Sequence, residues 1–135
     1  MRDIDYIAIH CSATPSKMDI GVEKIREWHK QRGFNDVGYH YIVRRDGSIE
    51  LGRNIKKIGA HVKGYNSNSI GICYVGGVDV NNNPEDNRTD AQKATLIMLL
   101  DMLQIFFPLA KIQGHRDFKG VTKACPCFDV KNEYK

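Results

Sequence analysis

Apolar and polar positions fall into blocks whose spacing changes several times along the chain. Ile4-Asp5-Tyr6-Ile7-Ala8-Ile9 is rich in β-formers and ends at His10, which predicts a first strand. Ile20, Ile25 and Trp28 can share one side of a helix over residues 20–32, with Asp19 as its cap and Gly33 as its stop. On that pattern Trp28 anchors the helix to the core and His29 lies at its edge. Residues 39–44 and 48–51 flank Asp46-Gly47, a dipeptide that favours a hairpin turn. Ser69-Ile70-Gly71-Ile72-Cys73-Tyr74-Val75 predicts a buried strand ending at Gly76-Gly77. Thr89 and Gln92 have the spacing of a capping box and open a helix over residues 90–107, stopped by Pro108. That helix is apolar around much of its circumference, which predicts deep packing. Residues 109–113 form a short last strand running into Gly114-His115, and one helical turn follows Asp129. The order β-α-β-β-β-α-β predicts an α/β fold, a mixed central β-sheet flanked by α-helices.

Composition narrows the class. At 135 residues the chain reads as a single domain, 1–135, able to bury one core without disulfides. It is 41% hydrophobic and 27% charged, which excludes a disordered or collagen-like chain. The longest apolar stretch, residues 96–107, is interrupted by Asp101 and Gln104 and is too short for a membrane span. Residues 1–10 carry Arg2, Asp3 and Asp5 and no apolar core of a signal peptide. A cytoplasmic protein is expected, released by another agent if it acts outside. The net charge of +4 is mild and its basic residues are scattered, so no nucleic-acid partner is expected. Four cysteines at low density, with no signal peptide, read as reduced thiols.

Two histidines, His10 and His115, sit where strands should end. Cys125 follows ten residues after the second. A catalytic zinc site takes three nitrogen, sulfur or oxygen ligands and keeps a position open for water, so His10, His115 and Cys125 make a candidate set. Spacing alone leaves a second reading open, in which both histidines are hydrogen-bonded strand-end residues. Five histidines and four cysteines allow many triples. Alternation along the strands turns His40 away from Tyr39 and Cys11 away from His10. A packed or backbone-bonded His40 and a buried Cys11 follow, with Cys73 in the core. Asn66 reads as a residue holding the following turn. Arg116 and Asp117 read as residues orienting the loop near His115.

Several blocks occur in a telling order: Ile9-His10-Cys11-Ser12-Ala13-Thr14, Gly38-Tyr39-His40-Tyr41, Arg45-Asp46-Gly47, Gly59-Ala60-His61-Val62-Lys63-Gly64-Tyr65-Asn66, Ser69-Ile70-Gly71-Ile72, Gly114-His115 and Lys123-Ala124-Cys125-Pro126. Together they resemble the zinc-dependent N-acetylmuramoyl-L-alanine amidase family, in particular the lysozymes of T-seven-like bacteriophages, which are amidases despite that name. The peptidoglycan recognition proteins of animals share the fold. The likeness runs from about Ile4 to Asp129. It implies Zn2+ held by His10, His115 and Cys125, a catalytic Tyr39 and a catalytic Lys123, and His61 as a substrate-cleft residue. For His61 a backbone-bonded loop histidine remains the alternative. Two departures stand out. The His115–Cys125 segment is slightly longer than in the phage lysozymes, and Cys127 stands where serine is usual, which makes it a rival for the metal.

What the resemblance implies about chemistry can be stated physically. Two neutral imidazoles and a thiolate leave zinc with one net positive charge, and an ion so held lowers the pKa of a bound water toward neutrality. The bond cut is the lactyl–L-alanine amide of peptidoglycan. Tyr39 and Lys123 are placed to meet the charge growing on its carbonyl oxygen. A phage or prophage endolysin is expected, acting on the cell wall, released with a partner such as a holin, and monomeric. The alternatives are a recognition module that holds muropeptide without cutting it, or an added role as regulator of a phage RNA polymerase. All three metal-ligand positions and Tyr39 argue against the first. Only nine residues precede His10, which argues against the second.

Overall fold

The structure, a computed structural model, describes residues 2–134. Five strands form one sheet in the order β3-β2-β4-β1-β5: β1 (Tyr6–Cys11), β2 (Tyr41–Val43), β3 (Ile49–Leu51), β4 (Ser69–Tyr74) and β5 (Lys111–Gly114). The four strands β2, β4, β1 and β5 run parallel, and β3 returns antiparallel at the edge through the Asp46-Gly47 turn. Helix α1 (Val22–Gln31) connects β1 to β2, and α2 (Asp90–Phe106) connects β4 to β5. A last turn, α3, spans Val130–Glu133. This is the mixed, helix-flanked sheet that the alternating pattern predicts.

The period-2 rule divides the sheet into two faces. Ile7, Ile9, Ile70, Ile72 and Tyr74 join Leu96, Leu99, Leu100 and Leu103 of α2 in the larger core. The opposite face packs α1 against Ile42 and Cys73 through Val22 and Ile25. His10 belongs to this second face, because it alternates with Ile9 and Cys11 on β1. The two faces explain why the parallel strands are buried almost throughout.

Three expectations change. Asp19 does not cap α1. The Glu50 carboxylate of β3 accepts the Val22 N–H at 2.8 Å, while Asp19 contacts Arg44. Trp28 and His29 exchange places. His29 is buried and its Nδ1 accepts the Gly38 N–H at 2.8 Å, while Trp28 is half-buried and lines a cleft. Helix α2 is not packed all round. Only Gln92, Leu96, Leu99, Leu100 and Leu103 are buried, and Ile97, Met98, Met102, Ile105 and Phe106 are exposed.

Two buried imidazoles hold backbone rather than substrate, and they carry a pH consequence. His40 Nδ1 accepts the Gly71 N–H at 3.0 Å, and its Nε2 meets the Lys57 carbonyl at 2.8 Å. Burial pushes both His40 and His29 down to about 4. An imidazole with a lowered folded pKa binds its proton in the unfolded chain first. Its stabilisation is complete above pH 6.5 and is lost as pH falls toward 4. The melting temperature is therefore expected to drop by about 5–10 °C between pH 6.5 and 4.5. Calorimetry should show a smaller drop for His40→Asn, whose amide does not titrate. An equal drop in both proteins would remove His40 from the explanation.

Candidate active site

Parallel pairing brings His10 and His115 together. Ile9 of β1 lies in register with Gly114 of β5, so the residues that follow emerge side by side at the carboxyl end of the sheet. Their rings sit 4.6 Å apart, centre to centre. Cys125 arrives on the loop after β5, and that loop is tied in three ways. The buried Tyr74 hydroxyl donates to the Pro126 carbonyl at 2.6 Å. The Arg116 N–H donates to the Cys125 carbonyl at 2.8 Å, and the Cys11 N–H donates to Cys125 Sγ at 3.3 Å. Asp117 accepts the Gly114 N–H at 2.8 Å and closes the turn carrying His115.

The donor atoms of His10, His115 and Cys125 all lie within 4.8 Å of one another. His10 Nδ1 stands 4.0 Å from Cys125 Sγ. Zinc–sulfur and zinc–nitrogen bonds of ordinary length in a tetrahedron put two such donors about 3.5 Å apart, so the observed spacing fits with a shift of half an ångström. Burial holds His10 well below its ordinary pKa, with His61 and His115 adding to the effect. Burial, then the Lys123 cation, lowers His115. Both rings are thus neutral with a lone pair to offer. Cys127 Sγ faces Cys11 Sγ at 3.9 Å instead and is not part of this group.

His61 lies behind His10. Its Nδ1 is 2.9 Å from His10 Nε2, and its Nε2 is 3.3 Å from Ser69 Oγ. Both ring nitrogens are therefore engaged within the protein, although the residue also lines the cleft. The ring fits there because Gly71 has no side chain. A Cβ at that position would stand 2.8 Å from the His61 ring. An internal glycine in a buried strand is the one sequence signal that points to this close approach. The Asn66 carboxamide accepts the His61 and Val62 N–H groups, both at 2.8 Å. It therefore holds the preceding turn rather than the following one.

Tyr39 stands at the other side of the triad, its ring 5.0 Å from that of His10. Burial raises its pKa well above 10, so the phenol keeps its proton at neutral pH. Lys123 is exposed and lines the same cleft. The cleft has a volume of about 730 Å³, an apolar wall from Ile25, Trp28 and Phe34, and cations from Arg32, Lys63 and Lys123. It is of a size that holds small ligands. The arrangement offers a three-donor metal site open to a groove, with a phenol and an ammonium beside it. No helix among the described residues is long and apolar enough to cross a membrane.

Comparisons with known proteins agree with this geometry. The sequence profile of the family described as N-acetylmuramoyl-L-alanine amidase matches residues 1–128. The endolysin of Klebsiella phage KP32 is 50% identical over 130 residues, 96% of this chain and 85% of that protein. The endolysin of Escherichia phage T7 is 46% identical over 127 residues, 94% of this chain and 83% of that protein. Among solved structures, the N-acetylmuramoyl-L-alanine amidase LysC from Clostridium intestinale superposes with a TM-score of 0.83 at 29% identity. The match covers 98% of this chain and 82% of that one. Drosophila PGRP-LB gives 0.77 at 26% identity, covering 93% and 76%.

Proposed function

The chain belongs to the N-acetylmuramoyl-L-alanine amidase family, and on that premise we propose that it cuts peptidoglycan with a zinc ion held by His10, His115 and Cys125. The reaction is hydrolysis of the amide between N-acetylmuramic acid and L-alanine, as in the phage endolysins. The observation that carries the metal assignment is the convergence of one thiol and two neutral imidazoles on a space of zinc-site dimensions. Bound there, zinc supplies a water acidic enough to ionise near neutral pH and a Lewis acid for the scissile carbonyl.

The chain's own groups do the rest. The groove presents an apolar wall to the sugar and lactyl part of the substrate, and its cations face the carboxylates of a stem peptide. Tyr39 donates a hydrogen bond from its hydroxyl to the carbonyl oxygen as that oxygen gains charge, and the Lys123 ammonium stabilises the same charge. The Tyr39 ring is packed beside His10 and His29 before the substrate arrives, so little reorganisation of this donor accompanies reaction. Residues 1–135 act as one catalytic domain. The protein is stored in the cytoplasm and reaches the wall through a holin-type partner, with no nucleic-acid ligand.

His61 acts through His10. With Nε2 of His10 bonded to His61, its Nδ1 is left toward Cys125 and the metal. Such outer hydrogen bonds fix the tautomer and direction of a ligand. His61→Phe keeps the volume and removes the nitrogens, so zinc affinity is expected to fall about 10- to 100-fold. Competition with a chromophoric chelator measures it, and an unchanged affinity would return His61 to a substrate-contact role. The metal assignment itself is tested by elemental analysis of the purified chain. One zinc per chain is expected, and none in His115→Ala. Full zinc in that variant would place the metal elsewhere.

A further inference from the structure

Arg2 lies just before β1 and reaches across to the loop that carries His61. Its Nη1 shares its N–H groups among the carbonyls of Asn66, Ser67 and Ser69, at 3.2, 3.2 and 3.1 Å. Its Nη2 donates to the Ile55 carbonyl at 2.9 Å. One planar fork thus joins both ends of the segment 55–69. The chain beside Arg2 is fixed in its own right. The Asp5 N–H donates to the Asn68 carbonyl at 2.8 Å, the Asn68 side-chain nitrogen donates to the Asp5 carboxylate at 3.0 Å, and Ile4 is buried in the larger core.

Asn66 and Ser69, gripped here by their carbonyls, also hold His61. The Asn66 side chain accepts the His61 and Val62 N–H groups, and Ser69 Oγ meets His61 Nε2 at 3.3 Å. Arg2 therefore binds through the main chain the same residues that fix His61 through their side chains. His61 in turn stands 2.9 Å from Nε2 of His10. The segment needs such a tie. The described residues 52–65 form no helix or strand, and Lys56, Lys57, Ile58, Lys63 and Gly64 are exposed. A stretch with so little regular structure opens at low free energy unless something spans it. Hydrogen bonds from a cation are stronger than neutral ones, which suits a guanidinium to that task.

We propose that Arg2 is a positioning residue for the amidase: its fork fixes the segment 55–69 so that His61 holds His10 in the tautomer and direction that bind zinc. This role rests on the reading of His10, His115 and Cys125 as the zinc site and of His61 as the partner of His10.

Zinc affinity and amide exchange test the role together. Arg2→Met keeps the stem and removes the donors. Competition with a chromophoric chelator should show zinc held about 5- to 10-fold more weakly, toward the low end of what the outer partners of a ligand contribute. In the His61→Phe background the same change should cost no more than about twofold, because the link through the ring is already gone. In the metal-free chain, hydrogen exchange read by NMR should quicken at least about 10-fold at the His61 and Val62 amides. It should stay within about twofold at the Gln92 amide, which bonds to Thr89 at the start of α2. Arg2→Lys keeps the cation without the fork and should show the same changes at about threefold, so a poorly folding Arg2→Met does not end the test. Unchanged zinc affinity in Arg2→Met would overturn the proposal. Equal losses in both backgrounds, or equal acceleration at Gln92, would also overturn it and leave Arg2 a tie for stability alone. A parent that binds no zinc, or a His61→Phe variant that binds it as tightly as the parent, shows instead that the underlying reading has failed, and the role of Arg2 falls with it.

Discussion

Cys125→Ser should reduce turnover to less than about a thousandth of the parent rate and leave the purified chain without stoichiometric zinc, an effect of the size seen when transition-state electrostatics are lost. The thiolate is the anionic member of the donor set, and a serine hydroxyl is a weak, neutral ligand at the same position. The loop itself should stay in place. Two of its three ties, through the Pro126 carbonyl to Tyr74 and through the Cys125 carbonyl to Arg116, do not use the sulfur, and the serine oxygen is an acceptor for the third, from the Cys11 N–H. Cys127→Ser is the matched control. Cys127 Sγ faces Cys11 rather than the histidines, so zinc content and rate should stay within about twofold of the parent. Elemental analysis and a peptidoglycan turnover assay on both variants check the pair. Loss of zinc from Cys127→Ser with retention in Cys125→Ser would exchange the two assignments.

Tyr39→Phe is expected to separate metal binding from chemistry. The variant keeps its zinc and loses about 10²–10³ in turnover, the usual effect of removing one fixed donor to a developing oxyanion. The ring remains, so packing near His10 and His29 is preserved. Only the proton donor disappears. The raised pKa of Tyr39 adds a second readout. The phenol stays protonated well past pH 9, so its ionisation contributes no alkaline limb near neutrality in the parent enzyme. Steady-state rates from pH 6 to 9 for both proteins measure this. An unchanged rate in Tyr39→Phe would remove the phenol from the mechanism.

Much of the fold was legible because local signals agreed with one another. The Thr89–Gln92 capping box, the Asp46-Gly47 turn and the β-rich blocks around Ile7 and Ile72 all appear where the pattern puts them, with strand ends moved by one or two residues. Non-local contacts account for the misses. The cap of α1 comes from Glu50, 28 residues from Val22, and no window over residues 19–22 contains that information. His29 is drawn inward by the Gly38 N–H, a partner that becomes adjacent only when α1 docks. The largely apolar circumference of α2 was legible, but the deep packing expected from it holds only along the side that carries Leu96, Leu99, Leu100 and Leu103.

The candidate site shows the same division. Individual motifs were visible, but the convergence of His10, His115 and Cys125 depends on β1 pairing with β5, a contact between segments a hundred residues apart. The sequence also left the place of His61 open between cleft and backbone. The structure places its ring against His10, over a glycine on β4 whose role becomes clear only with both strands in view.

The most direct test of the whole account is digestion of purified peptidoglycan with and without a zinc chelator, with the products read by mass spectrometry. The account predicts free stem peptides beginning with L-alanine, lost on chelation and restored by added zinc. Undiminished release after the metal has been removed, or products in which the peptide remains on the muramic acid, would contradict it.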